Sequence, residues 1–125
     1  MKKKYLVTGG SGFIGSALVK ELLREGHSVR VFDNNSRGNL RRLESVIDQI
    51  EFVEGDIREP NQVLEACKGV DAVCHLAFVN GTKFFYELPE LVLEVGVKGM
   101  INILDACIAN NIEDLILASS SEVYQ

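Results

Sequence analysis

Three glycines recur at every third position near the amino terminus, within the segment Thr8–Gly15. This segment follows a short apolar run and precedes residues with helical spacing, so it predicts a turn from a strand into a helix. Gly9 permits a tight turn, Gly12 lets a phosphate approach the backbone, and Gly15 lets the helix pack closely. Because a helix amino terminus offers unpaired N–H donors and partial positive charge, the chemistry predicted here is binding of a diphosphate.

An acidic residue follows this turn at the spacing found in dinucleotide sites. Asp33 ends the second predicted strand, about twenty residues beyond the turn, where a carboxylate can accept both ribose hydroxyls of NAD and repel the extra phosphate of NADP. Arg37 follows shortly after and could pair with such a phosphate, but we expect Asp33 to dominate. The sequence therefore predicts NAD as the cofactor.

Strand-like and helix-like stretches alternate along the chain, as is typical of parallel βαβ units. Strands are predicted at Lys4–Thr8, Ser28–Asp33, Gln49–Val53, Asp71–Leu76 and Leu115–Ser119. Helices are predicted at Phe13–Arg24, around Leu40–Ile47, between Pro60 and Gly69, and along a long amphipathic stretch from Leu91 to Cys107. Phe78–Pro89 has no clear period and is predicted as a loop. Right-handed crossovers then give a doubly wound, Rossmann-type α/β sheet of order 3-2-1-4-5, with all carboxyl strand ends at one rim.

Composition narrows the classes of partner and location. The 125 residues are 46% hydrophobic and 25% charged, which favours one globular domain over residues 1–125. A net charge of -5 argues against a nucleic-acid partner. No run is apolar enough for a membrane span or a signal peptide, and Cys67, Cys74 and Cys107 lack metal-binding or redox spacing. We therefore expect reduced thiols, no metal site, no membrane partner and a cytoplasmic location.

These motifs, in this order, resemble those of the NAD-dependent epimerase/dehydratase family, a group of extended short-chain dehydrogenases/reductases. Thr8–Gly15 resembles the family's cofactor turn, and Asp33–Gly38 resembles its ribose-binding loop. Gly55–Ile57 resembles the segment that faces the adenine, and His75–Ala77 resembles the strand end on the nicotinamide side. The resemblance implies cofactor contacts from Gly9, Gly12, Phe13, Ile14, Gly15, Asp33, Asn34, Asn35, Ser36, Arg37, Asp56, Ile57, Leu76, Ala77 and Phe78.

The segment Ser119–Tyr124 resembles the family's end of strand five. The resemblance implies that Ser120 hydrogen-bonds the reacting sugar oxygen. Glu122 matches an acid/base carboxylate of decarboxylating and dehydrating members, with an ordinary loop carboxylate as an equal alternative. The family's reactive tyrosine belongs to a Tyr-x-x-x-Lys motif, and none of the three tyrosines here is followed by lysine at that spacing. The 125-residue chain is therefore expected to be inactive by itself.

Three positions depart from the family pattern. Gly96 and Met100 replace a polar pair on the long helix, which removes a polar contact beneath the active site. Phe78 stands where a second small residue is usual. It could narrow the nicotinamide pocket or cover the core, and we expect core cover because large aromatic side chains commonly serve that role.

The resemblance implies an enzyme that transiently oxidises a nucleotide-sugar hydroxyl with bound NAD and then epimerises, dehydrates or decarboxylates the product. This chain would be the cofactor-binding part of a homodimer, truncated before the later strands and the carboxyl-terminal substrate domain. Two alternatives are an NAD(P)-dependent carbonyl reductase or hydroxysteroid-type dehydrogenase, and a non-catalytic NAD-binding sensor. With strand five as a sheet edge, the isolated chain is expected to be marginally stable or to self-associate.

Overall fold

Five parallel strands form one sheet in the computed structural model, which describes residues 1–35, 39–79, 82–120 and 124. The strands are β1 (Lys4–Thr8), β2 (Ser28–Asp33), β3 (Ile50–Glu54), β4 (Ala72–His75) and β5 (Asp114–Leu117). Their order across the sheet is β3-β2-β1-β4-β5, and each neighbouring pair is parallel. The predicted Rossmann-type α/β sheet and its strand order are confirmed.

The helices lie between these strands and cover both faces of the sheet. They are α1 (Phe13–Arg24), a 3₁₀ helix (Leu40–Gln49), α2 (Pro60–Ala66), α3 (Thr82–Glu87), α4 (Pro89–Leu93), a π-helical segment (Glu94–Lys98) and α5 (Gly99–Ala109). Pro60 and Pro89 each occupy the first helical turn, where a missing backbone N–H costs nothing.

The bounds of β3, β4 and β5 differ from the sequence-based predictions by one or two residues, the helix after β2 is 3₁₀, and two larger differences lie after β4. The prediction of a loop through Phe78–Pro89 was wrong for Thr82–Glu87, which forms α3. A helix of six residues is too short to show a period, and part of its support is local, from the Lys83–Glu87 ion pair at 3.9 Å. The long helix is also not continuous α-helix, because a π-helical turn at Glu94–Lys98 separates α4 from α5. Such turns frequently occur at functional sites.

The core lies on both faces of the sheet. Successive residues of β1 point to opposite sides, so Leu6 packs with α2 and α5 while Val7 packs with α1. Both are fully buried, as expected for a central strand of a parallel sheet. Cys67, Cys74 and Cys107 are free and buried, and burial raises the pKa of the Cys67 thiol to about 12. Buried thiols of this kind are poorly nucleophilic, so we interpret these cysteines as core residues.

The outer edge of the sheet is much less covered. The side chains of Ile116 and Leu117 on β5 are exposed, as is a stripe along the long helix formed by Leu93, Val97, Ile101, Leu104 and Ile108. We call these five residues the helix stripe. None of the helices in the described part of the chain has the length and apolar character that a membrane span requires.

Candidate cofactor-binding site

The glycine turn joins β1 to α1 at the carboxyl rim of the sheet. Gly9 has φ +72°, and its N–H donates to the carbonyl of Phe32 at 2.9 Å. A side chain at Gly9 would lie 3.1 Å from the backbone nitrogen of Ala77, so the turn is wedged between the ends of β2 and β4. Gly9 therefore has the tight-turn role predicted from the sequence.

Gly15 allows α1 to pack against the turn that precedes it. A Cβ atom at this position would lie 2.1 Å from the carbonyl oxygen of Gly9, which is much shorter than a van der Waals contact. The sequence predicted close packing of the helix here, and the structure shows that the contacted backbone is the turn at the end of β1. The space beside Gly12 is more open, since among the described residues a Cβ there would come within 4 Å of the same carbonyl alone, at 3.2 Å.

The amino terminus of α1 carries no side-chain cap. Its N-cap residue is Gly12, and the first intrahelical bond runs from the Ser16 N–H to the Gly12 carbonyl at 2.9 Å. By helix geometry the amides of Phe13, Ile14 and Gly15 precede that bond and lack an intrahelical acceptor. The side chains of Phe13 and Ile14 are strongly exposed beside them. This terminus has the chemistry of an anion site.

The carboxylate of Asp33 lies directly against the glycine turn. Asp33 is 8% exposed, and its Oδ2 accepts hydrogen bonds from the N–H and the hydroxyl of Ser11, at 3.0 and 2.6 Å. Its Oδ1 accepts from the N–H of Asn35 at 2.9 Å, with Asn35 in the left-handed region at φ +60°. Asn34 is exposed beside them, whereas the predicted contacts Ser36 and Arg37 lie outside the described residues.

The two predicted contact residues after β3, Asp56 and Ile57, point in different directions. The carboxylate of Asp56 is paired with the Arg58 guanidinium, at distances down to 2.6 Å, and this pairing holds the pKa of Asp56 below its usual range. Arg58 also reaches Glu94 on the π-helical segment at 3.2 Å. The side chain of Ile57 instead points into the core against Gly99. Only Asp56 therefore presents its side chain near the rim.

The end of β4 is held by a buried threonine–histidine pair. Thr8 Oγ1 accepts the backbone N–H groups of Leu76 and Ala77 at 3.0 and 3.1 Å, and it lies 2.7 Å from Nδ1 of His75. With both acceptor positions used, the hydroxyl donates its hydrogen to Nδ1, so His75 carries its own proton on Nε2. Burial lowers the pKa of His75 to about 4, and the ring is neutral at pH 7.

Phe78 covers the π-helical segment. Its ring occupies the space that a side chain at Gly96 would need, because a Cβ atom there would lie 2.7 Å from Cε2 of Phe78. The side chain remains 46% exposed, so it covers backbone at the rim rather than filling the core. Two of the three departures from the family pattern are thus adjacent, because the Phe78 ring lies over Gly96.

The carboxyl end of β5 leads to Ser120, the candidate for the reacting sugar oxygen, at the same rim. The N–H of Ala118 donates to the carbonyl of His75 at 3.1 Å, and the exposed Ser120 follows two residues later. Glu122 lies outside the described residues. Within the ranges that the structure describes, no group of His, Cys, Asp or Glu side chains could hold a metal ion.

Sequence reasoning missed two features of this site. Ser11 was not singled out within the glycine segment, although it is fully buried and bonds Asp33. Arg58 was not singled out, because an arginine after a strand has no distinctive spacing. A polar residue inside a tight glycine turn was the one signal available for Ser11, since buried polar groups require partners.

The glycine turn, the uncapped helix terminus and Asp33 are arranged as expected for dinucleotide binding, and comparison with known proteins supports the same cofactor. The model of the NAD-dependent epimerase/dehydratase family matches residues 5–125. The chain belongs to this family. The family is NAD-dependent, in agreement with the cofactor predicted from the glycine turn and Asp33.

Individual relatives of this epimerase/dehydratase chain catalyse different reactions. UDP-N-acetyl-alpha-D-glucosaminuronate decarboxylase of Bacillus cytotoxicus is 38% identical over 99% of this chain and 38% of that protein. 3 beta-hydroxysteroid dehydrogenase type 7 of Mus musculus is 34% identical over 95% of this chain and 33% of that protein. A UDP-glucose 4-epimerase from Brucella ovis, solved in complex with NAD, matches with a TM-score of 0.88 and 32% identity over 98% of this chain and 37% of that one. The chain thus spans between a third and two fifths of these relatives.

Proposed function

We propose that this chain binds NAD along the carboxyl rim of its sheet. The observation that carries the proposal is the direct contact between the glycine turn and Asp33, which puts an uncapped helix terminus and a carboxylate side by side. The N–H groups of an uncapped helix terminus can bind a diphosphate, and a carboxylate can bind an adenosine ribose. The open backbone at Gly12 fits the close approach of a phosphate.

We assign the roles of individual residues from the family resemblance, supported where the structure describes them by their positions at the rim. The amides at the start of α1, after Gly9 and Gly12, would hold the diphosphate, flanked by Phe13, Ile14 and Gly15. The ribose would lie at Asp33, with Asn34, Asn35, Ser36 and Arg37 around it. The adenine would lie towards Asp56 and Ile57, and the nicotinamide towards Leu76, Ala77 and Phe78.

We further propose that the whole protein acts on a nucleotide sugar. This follows from family membership and from the epimerase and decarboxylase among its relatives. Bound NAD would supply reversible hydride acceptance at a sugar carbon. Ser120 would hydrogen-bond the reacting oxygen, and Glu122 would serve as an acid/base group in dehydration or decarboxylation. Oxidation also requires the sugar hydroxyl to lose its proton to a base, which the family resemblance implies is the tyrosine of a Tyr-x-x-x-Lys motif. None of the three tyrosines here is followed by lysine at that spacing, so the 125-residue chain alone would bind cofactor without turning over substrate.

The partner proposed for the whole protein is a second copy of itself. The helix stripe and the exposed side chains of β5 are apolar surfaces of the kind that association covers. The reduced, buried cysteines support a cytoplasmic location for the protein.

Product analysis with the full-length protein tests the proposed chemistry. Purified protein supplied with NAD and with UDP-, GDP- or dTDP-sugars should produce an epimer, a dehydrated sugar or a decarboxylated sugar without net formation of NADH. Stoichiometric consumption or release of reduced cofactor would instead show a dehydrogenase or carbonyl reductase. NAD binding with no turnover of any candidate substrate would favour a sensor.

A further inference from the structure

Phe78 stands at the rim of the sheet, directly beside the glycine turn. It follows Ala77, whose N–H donates to Thr8 Oγ1 at 3.1 Å. A Cβ atom at Gly9 would lie 3.1 Å from the same Ala77 nitrogen. The backbone that carries the Phe78 ring is therefore fixed against the turn proposed to hold the diphosphate.

The ring meets the π-helical segment with its edge. A Cβ atom at Gly96 would lie 2.7 Å from Cε2 of Phe78, and 3.5 and 3.7 Å from the neighbouring ring atoms Cζ and Cδ2. Such an increase towards both neighbours is that of an approach close to the ring plane, because an approach over the face would make the three distances more nearly equal. Gly96 therefore anchors one edge of the ring and covers neither face.

The anchored ring is only partly covered. Phe78 is 46% exposed, whereas the next side chain, Val79, packs against the core. A side chain that is held in place before a ligand arrives loses less freedom when the ligand binds. Phe78 thus offers a preorganised apolar surface at the rim, of a size that a planar ring can cover.

The nicotinamide ring of NAD is planar, and its charge depends on its redox state. The oxidised ring carries a positive charge, and the reduced ring of NADH is neutral. The face of a phenyl ring is the negative part of its quadrupole, and it attracts a cation within about 6 Å. A phenyl face against nicotinamide therefore stabilises the oxidised coenzyme more than the reduced one.

We propose that the face of Phe78 packs on the nicotinamide ring and makes the site favour oxidised NAD over NADH. This inference rests on the proposed NAD function and adds a preference between the two redox states. The family pattern has a small residue at position 78, so the preference belongs to the Phe78–Gly96 pair of this chain. It would keep the bound coenzyme in the form that accepts hydride from the substrate.

Two substitutions of Phe78 test the proposal by calorimetric titration with NAD and with NADH. The measured quantity is the ratio of the NADH dissociation constant to that of NAD. Phe78→Leu keeps an apolar side chain but removes the ring face, so the ratio should fall about two- to fivefold, the effect of a cation–π contact at a partly exposed site. Phe78→Tyr keeps the face and should keep the ratio. An unchanged ratio in Phe78→Leu, or an equal fall in Phe78→Tyr, would overturn the inference.

The same change at another exposed aromatic residue is the matched control. Phe85 lies on α3 and is 59% exposed, so Phe85→Leu removes a similar ring away from the turn. Its ratio should equal that of the unsubstituted protein, and a fall as large as in Phe78→Leu would contradict a specific role for Phe78. Loss of folded protein does not affect the ratio, because it lowers the apparent affinity for both coenzymes alike.

The failure of this inference can be distinguished from the failure of the proposed function. If the unsubstituted protein binds both coenzymes and Phe78→Leu leaves their ratio unchanged, only the role of Phe78 is wrong. If the unsubstituted protein binds neither coenzyme, the proposed function is wrong and this inference fails with it.

Discussion

Lowering the pH from 7 to 5 is expected to destabilise the fold through His75. This residue is 4% exposed, and burial lowers its pKa from an ordinary 6.5 to about 4. Its Nδ1 lies 2.7 Å from the Thr8 hydroxyl oxygen and accepts the hydroxyl hydrogen. Protonation of Nδ1 would place a second hydrogen in this contact, and the two hydrogens would repel each other. The folded state therefore resists protonation that the unfolded chain accepts.

The sign and size of the effect follow from these pKa values. Because the folded pKa lies below the unfolded one, the stabilising contribution is complete above pH 6.5 and is lost as the pH falls towards 4. At 1.36 kcal/mol per pKa unit the whole difference is about 3 kcal/mol. On the order of 2 kcal/mol of it should be lost by pH 5. Most carboxylates remain ionised at that pH, so the histidine contribution can be separated from theirs.

Urea unfolding at pH 7, 6 and 5 measures this loss. The unsubstituted protein should become less stable at each step, and His75→Gln should show a much flatter dependence. His27→Gln is the matched control, because His27 is the other histidine and accepts a hydrogen bond from the Lys3 N–H at 3.1 Å. It should keep the steep dependence. A flat profile in the unsubstituted protein, or an unchanged slope in His75→Gln, would refute the reasoning.

Three further predictions concern packing. Gly15→Ala should destabilise the fold by more than about 3 kcal/mol in denaturant unfolding, since its Cβ would collide with backbone. Gly69→Ala is the control, because Gly69 has φ +74° but lies in open space, and it should cost only about 1 kcal/mol. Similar costs for the two variants would contradict the close packing at Gly15. Gly96→Ala should lower the free energy of unfolding by about 1–3 kcal/mol, because its Cβ would collide with the Phe78 ring. Adding Phe78→Ala should remove most of this loss. Additive losses in the double-mutant cycle would show that the ring is not the cause of the destabilisation. Ile101→Glu on the helix stripe should reduce self-association in sedimentation, and an unchanged mass would exclude the stripe as the contact.

The general arrangement of the sheet was predictable because it depends on simple periodicities. Apolar runs such as Lys4–Thr8 and Ser28–Asp33 end at polar or glycine-rich turns, and right-handed crossovers then allow one strand order. Gly9 was predictable for the same kind of reason, since a tight turn at positive φ favours glycine. These features depend on local chemistry and chirality.

The details of the site were less predictable because they depend on contacts between distant residues. The partner of Ser11 is 22 residues away, and only the folded sheet brings the two together. Phe78 and Gly96 were each recognised as unusual, but their contact depends on the π-helical turn, which has no sequence signature that we could identify. The six residues of α3 are stabilised locally and are too few to show a period.

The glycine turn and Asp33 are proposed to bind NAD together. Titration of the folded protein with NAD and NADP in a calorimeter tests this proposal most directly. We predict saturable heat with NAD and at least tenfold weaker binding of NADP, because the Asp33 carboxylate repels the additional phosphate. Heat from neither coenzyme, or binding of NADP as tight as that of NAD, would contradict the claim.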